Sequence, residues 1–109
     1  MKIDVSKELK TLDGSTMQDV GSDGNAVNAT VKLALLNAVL APEQNDTPVR
    51  KLEKGELARK IYKAEKEVDL TAEEIALCKK RVGEVFPSPL VVLQVTEILE
   101  QKEGNREEA

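Results

Sequence analysis

The chain has 109 residues and a formal net charge of −4; 33% of its residues are charged and 2% are aromatic. A chain of this length predicts one domain with a modest core. Because Tyr62 and Phe86 are the only aromatic residues, that core must be aliphatic. The absence of His and the single Cys exclude imidazole catalysis, intramolecular disulfides and zinc sites built from several Cys or His ligands.

The first 26 residues are predicted to form a short β-hairpin followed by a loop. Alternating apolar residues over 2–12 indicate a strand, Asp13-Gly14 is a turn signal, and 15–20 is a candidate return strand. Residues 21–25 have the composition of a loop. Since an isolated hairpin is marginally stable in water, we expect it to pack on the helices or to pair with another chain.

A first helix is predicted over Val27–Ala41, where Lys32 is the only charged residue. A helix that is apolar on nearly all sides is typically buried, so this segment is expected to be the central helix. Asn25 or Asn28 is the candidate N-cap, and Pro42 ends the helix.

A second, strongly charged helix is predicted over Val49–Glu67. Gly55 inside this helix would cost up to about 1 kcal/mol relative to Ala. A start near 54–56 is therefore the alternative.

Capping signals predict two further helices. Thr71 and Glu74 have the spacing of a capping box, and Cys78 falls on the apolar stripe that follows. Ser88 and Pro89 are typical of a helix start, here of a helix over Leu90–Lys102. The β-branched residues early in this last segment are also compatible with a strand.

These elements predict a mainly α, four-helix domain with a short N-terminal β-hairpin. The single domain is expected to span 1–103, with its helical part over 27–103, and 104–109 is expected to be a disordered tail. The longest apolar run is far shorter than the roughly 20 residues of a membrane span, and the N-terminus lacks the apolar stretch of a signal peptide. We therefore expect a cytoplasmic protein that does not contact membranes.

No motif indicates catalysis or a bound cofactor. The paired carboxylates Glu73-Glu74 and Glu107-Glu108 fit helix capping and a solvated tail better than acid–base chemistry. The glycines match no phosphate-binding fingerprint, and the acidic residues around 19–25 lack the ligand spacing of a calcium loop. We expect a protein that is not an enzyme and has no metal site, cofactor or small-molecule substrate.

A nucleic-acid-binding accessory role is the alternative function. Residues 49–66 carry seven basic and three acidic side chains. The candidate phosphate contacts on this helix and the next are Arg59, Lys60, Lys63, Lys80 and Arg81. Against this role, the helix mixes charges at helical spacing, the chain is acidic overall, and no aromatic platform exists for stacking bases.

An excess of aliphatic helix surface favours a protein–protein interaction or assembly module that associates with itself. The predicted first and last helices supply more apolar faces than a small domain easily covers, a surplus typical of subunit interfaces. Coverage of these faces by the N-terminal hairpin is the alternative. The outer parts of these two helices are the expected contact surface, with Leu35, Val39, Val91 and Val95 as candidate residues.

The order of these signals resembles a group of small bacteriophage and prophage proteins of unknown function. The resemblance covers most of residues 9–99 and rests on the segments Leu12–Gly14, Leu35-Leu36, Glu56–Tyr62, Val68–Ile75 and Lys79–Gly83. It implies a phage-encoded protein that acts in the bacterial cytoplasm and binds a host or phage protein. It implies no catalytic or ligand-binding residue.

Overall fold

The computed structural model describes residues 1–20 and 24–100 of the chain. Its elements in chain order are β1 (Lys2–Asp4), β2 (Gln18–Val20), β3 (Ala26–Asn28), α1 (Val31–Leu40), α2 (Pro48–Lys63), β4 (Glu67–Asp69), α3 (Ala72–Val85) and α4 (Pro89–Glu100). The predicted tail at 104–109, the end of the last predicted helix and three residues of the predicted loop, 21–23, lie outside the described residues.

The prediction of a mainly α domain with four helices and a short β element is confirmed. Helix α1 packs against both α2 and α3, and α4 packs on α3. The largest fully buried side chains are aliphatic, including Ile3, Leu35, Ile61, Leu70 and Leu99. Neither aromatic residue is fully buried, as expected from an aliphatic core.

The N-terminal strand pairs with a distant segment. Strand β1 forms an antiparallel ladder with β4 in which Ile3 lies opposite Val68, and both side chains are buried. The predicted turn at Asp13-Gly14 is present: the Thr11 amide donates to the Ser15 carbonyl at 2.7 Å, and Gly14 has a φ of 91°. The predicted hairpin is present next to this turn, where Lys10 forms an antiparallel bridge with Thr16 and the Met17 amide donates to the Leu9 carbonyl. The prediction was wrong only for the outer ends of the two segments, since β1 pairs with β4 and β2 pairs with β3.

Helix α1 begins at Val31, four residues later than predicted. The Thr30 hydroxyl accepts a hydrogen bond from the Leu33 amide at 3.3 Å and so caps the helix in place of Asn25 or Asn28. Residues 26–28 form β3 instead, paired with β2. The pairing extends one residue further, because the Ala29 amide donates to the Met17 carbonyl and the Ala29 carbonyl accepts from the Leu9 amide. A helix starting at 27 would break these strand hydrogen bonds.

Helix α2 begins at Pro48, with Thr47 as its N-cap, and therefore contains Gly55 in its interior. The alternative start near 54–56 was wrong. The helix also ends at Lys63 rather than at 67, because 67–69 form β4.

The starts of α3 and α4 are confirmed. The Thr71 hydroxyl accepts from the Glu74 amide at 3.1 Å, and the Glu74 carboxylate accepts from the Thr71 amide at 2.9 Å. Pro89 is the first residue of α4, and the Ser88 hydroxyl accepts from the Val91 amide at 3.5 Å. No strand forms over this last segment within the described residues.

The capping box predicts a measurable loss on truncation. Thr71→Ala removes the hydroxyl acceptor at the N-terminus of α3, and we expect the free energy of unfolding to fall by about 1 kcal/mol. Urea denaturation followed by circular dichroism measures this change. Thr71→Ser keeps the acceptor and should retain most of the stability; equal losses in both variants would contradict the capping role.

Candidate interaction surface

A buried ionic cluster lies where the loop between α1 and α2 meets α2 and α3. Lys54 and Arg81 are each only 4% exposed. Lys54 Nζ lies 2.8 Å from an Asp46 carboxylate oxygen and also pairs with Glu43. Arg81 Nη1 lies 3.2 Å from Glu43 Oε1 and 2.7 Å from Glu84 Oε1. Glu43 therefore links the two buried cations.

Arg81 also binds the carboxyl end of α1. Its Nε donates to the Ala38 carbonyl at 3.3 Å, and its Nη2 donates to the Ala41 carbonyl at 3.1 Å. These carbonyls have lost helical partners, and α1 has no basic residue of its own in its last turn. A cation from α3 thus satisfies the negative end of α1.

The ion pair between Lys54 and Asp46 stabilises the fold over a limited pH range. Burial alone would lower the pKa of Lys54, but hydrogen bonds to Asp46 and Glu43 outweigh it and raise that pKa above its ordinary value. The bond from Lys54 holds the pKa of Asp46 below its ordinary value. Asp46 therefore stops stabilising the fold as pH falls through its lowered pKa. Lys54 stops doing so as pH rises through its raised pKa.

The five candidate phosphate contacts do not form one free basic face. Arg81 is buried in the ionic cluster, and Lys60 Nζ lies 2.9 Å from Glu74 Oε1 in an ion pair between α2 and α3. Arg59, Lys63 and Lys80 are exposed. Placing Arg81 among nucleic-acid contacts was wrong, because its guanidinium is used inside the fold.

Three of the four candidate interface residues belong to the core of the chain itself. Leu35, Val39 and Val95 are almost completely buried, and Val91 is half-buried against that core. They lie on the sides of α1 and α4 that face the protein interior. Naming them as outward contacts was therefore wrong, because both helices are rotated so that these residues face the core. Other residues of α1 and α4 are exposed.

The outer side of α1 carries leucines. Leu33, Leu36 and Leu40 follow the spacing i, i+3, i+7 of one helix face, and we call them the α1 stripe. Leu33 and Leu36 are half-buried, with Leu36 packed against the core, and Leu40 is 60% exposed. The same spacing was visible in the sequence, but a helix with apolar residues on every side gives no signal for which side faces inward.

A cleft lies beside Leu40, between the end of α1 and the first half of α2. Its lining includes Leu40, Pro42, Lys51 and Gly55. Gly55 has a helical backbone without a positive φ, and a Cβ built on it meets no atom within 4 Å. The fold itself therefore does not require glycine at this position. Because Gly55 has no side chain, the cleft is wider at this point of α2.

The outer side of α4 combines leucine with glutamate. Leu90, Leu93, Glu97 and Glu100 follow the spacing i, i+3, i+7, i+10 and form what we call the α4 stripe. Leu93 is 53% exposed, whereas Leu90 and the two glutamates are half-buried. Glu100 Oε2 also lies 2.8 Å from Lys79 Nζ of α3.

The single thiol of the chain lies in the core. Cys78 is fully buried, as predicted, and burial together with the nearby Glu74 charge raises the pKa of its thiol to about 12. In 1–20 and 24–100, no group of three or more His, Cys, Asp or Glu residues is placed to hold a metal ion.

Comparisons with known proteins identified no relative of this chain. No family model, curated protein or solved structure matches the chain. Within the part of the chain that the structure describes, no helix combines the length and apolar character needed to cross a membrane.

The position of Arg81 predicts that its removal damages the fold. Arg81→Met removes one of the two cations that pair with Glu43 and leaves the end carbonyls of α1 without their donor, and we expect the free energy of unfolding to fall by about 3 kcal/mol. Chemical denaturation measures the loss. Arg59→Met, on the exposed side of α2, should change stability by no more than about 0.5 kcal/mol. Similar small effects in both variants would contradict the structural role of Arg81.

Proposed function

We propose that this chain is a non-enzymatic protein–protein interaction or assembly module that associates with itself. The observation that carries the proposal is the distribution of apolar residues on α1, which is buried on one side and exposes Leu40, at the end of the α1 stripe, on the other. Apolar residues on the solvent side of a helix, beside an open cleft, are typical of a surface that another protein covers.

The α4 stripe supports the same proposal. Its Leu93 is among the exposed large apolar residues of the molecule, and it lies on the last helix of the described chain. The first and last helices thus remain the proposed contact elements, now with their outward leucines as the contact residues.

The setting of the protein is proposed from the sequence resemblance alone. A phage-encoded module of the bacterial cytoplasm would meet copies of itself and proteins of the host or the phage. Nucleic acid is the less favoured partner, because Lys60 and Arg81 are engaged in ion pairs within the fold.

Adding a charge to the α1 stripe should weaken self-association. Leu40→Glu places a carboxylate in the apolar contact, and we expect the dissociation constant to rise by at least about tenfold, equivalent to about 1.4 kcal/mol. Sedimentation velocity over a concentration series measures the change.

Val49→Glu is the matched control. Val49 is an exposed aliphatic residue, 67% exposed, on the first turn of α2 rather than on α1, so the same charge there should leave association unchanged. If the unmodified chain stays monomeric at high concentration and also retains no protein from a nuclease-treated bacterial lysate, the proposed function is wrong.

A further inference from the structure

Strands β2 and β3 form a sheet of their own, and β3 has an open outer edge. The Ala29 amide donates to the Met17 carbonyl at 2.8 Å. Because bonded and non-bonded pairs alternate along an antiparallel ladder, Val27 bonds to β2, whereas Ala26 and Asn28 direct their amides and carbonyls to the other side. Both of these outward residues are exposed. In residues 1–20 and 24–100, no third strand joins this sheet.

The other two-stranded sheet carries charges at both of its outer edges. The Val5 amide donates to the Lys66 carbonyl, and the same alternation turns outward the backbone groups of the residues between such bonded pairs. These outward residues are all charged: Lys2, Asp4, Glu67 and Asp69. Charged side chains at a sheet edge discourage the addition of another strand. Strand β3 lacks this protection, because residues 24–31 include no charged residue and no proline.

The acidic side chain that bonds to β3 comes from the paired side of the strand. Glu8 Oε2 accepts a hydrogen bond from Asn28 Nδ2 at 2.7 Å. Glu8 also forms an antiparallel bridge with Thr30, next to the hydrogen bond from the Leu9 amide to the Ala29 carbonyl. The amide and carbonyl of one strand residue point to the same side, so this carbonyl faces the side on which β2 lies. The outer edge of β3 therefore presents backbone groups between uncharged side chains.

The outer edge of β3 is complementary to itself. When two copies of β3 run antiparallel about a two-fold axis at Val27, Ala26 of each copy lies opposite Asn28 of the other. Each such pair exchanges two hydrogen bonds, so the contact contains four. The two Val27 residues then face each other as a non-bonded pair. Because a two-fold contact brings identical residues together, an uncharged edge favours it and a charged edge would oppose it.

We propose that β3 is a strand-addition surface whose occupant is β3 of a second copy of this chain. The two hairpins then form one antiparallel sheet of four strands in the order β2, β3, β3, β2. This inference rests on the proposed function in that the partner is another copy, and it adds a contact that uses no residue of the α1 stripe. A two-stranded sheet alone is marginally stable in water, so the larger sheet also stabilises β2 and β3.

Disulfide trapping tests this pairing. In Val27→Cys, the two thiols of a dimer lie on facing Cα atoms about 4.5 Å apart, within the range of about 4.4–6.8 Å that a disulfide bridges. Asp19→Cys is the matched control: position 19 lies opposite 27 in the same hairpin, but its two copies are separated by three strand spacings, about 14 Å. With oxidised glutathione, we expect Val27→Cys to form a covalent dimer at least about tenfold faster than Asp19→Cys. Cys78 is fully buried and contributes no accessible thiol.

Two double variants locate the contact. Ala26→Pro removes an outward amide, and proline is tolerated on a sheet edge where the amide faces away from the neighbouring strand. Because each copy loses one donor, Ala26→Pro/Val27→Cys should form the covalent dimer about tenfold more slowly than Val27→Cys. Leu40→Glu/Val27→Cys should still form the covalent dimer, because the α1 stripe is not part of this contact. Circular dichroism of each variant checks that the fold has formed.

The outcomes separate this contact from the proposed function. If Val27→Cys cross-links no faster than Asp19→Cys, or equally fast with and without Ala26→Pro, the pairing of β3 is wrong. The proposed function stands in that case if the unmodified chain still self-associates in sedimentation velocity. If Val27→Cys cross-links as expected but Leu40→Glu leaves self-association unchanged, the pairing of β3 stands and the α1 stripe is not the contact. A chain that neither self-associates nor cross-links through Val27→Cys contradicts both.

Discussion

The arrangement of the first three helices depends on the ionic cluster around Lys54 and Arg81. Two cations that are each 4% exposed would destabilise the fold if they were unpaired. They are held by Glu43 and Asp46 of the loop after α1. Because that loop carries the carboxylates and α1 supplies the carbonyls, the end of α1 has one position relative to α2 and α3. The orientation of the α1 stripe follows from that position.

The aliphatic composition explains why such a polar anchor is useful. A core of Leu, Ile, Val and Ala excludes water but makes few directional contacts. Hydrogen bonds from Arg81 to specific carbonyls provide the direction that apolar packing lacks. These directional hydrogen bonds matter most for α1, which is apolar on nearly every side. Burial of apolar side chains alone would be satisfied by several rotations of α1 about its axis.

Local signals were predicted from the sequence, and long-range pairings were not. Thr71 and Glu74 act within one helical turn, so their spacing was sufficient to place the start of α3. The burial of Arg81 depends on Glu43 and on the carbonyls of α1, which no pattern around position 81 contains. For α1, the sequence indicated a helix but not its rotation, and Leu35 was chosen where Leu40 faces outward. The extended segment before Thr30 was hidden for a related reason: its hydrogen-bond partners lie at Leu9 and Met17.

The pairing of β1 with β4 has a consequence for the order of folding during synthesis. The amino group of Met1 and the carboxylate of Asp69 are 68 positions apart, yet they lie within 2.8 Å. Residues of β1 leave the ribosome long before β4 has been synthesised. Because α1 and α2 precede β4 in the chain, both helices are complete before β4 emerges. Until β4 emerges, Ile3 therefore lacks its partner Val68, and the β1–β4 sheet closes after the β2–β3 sheet.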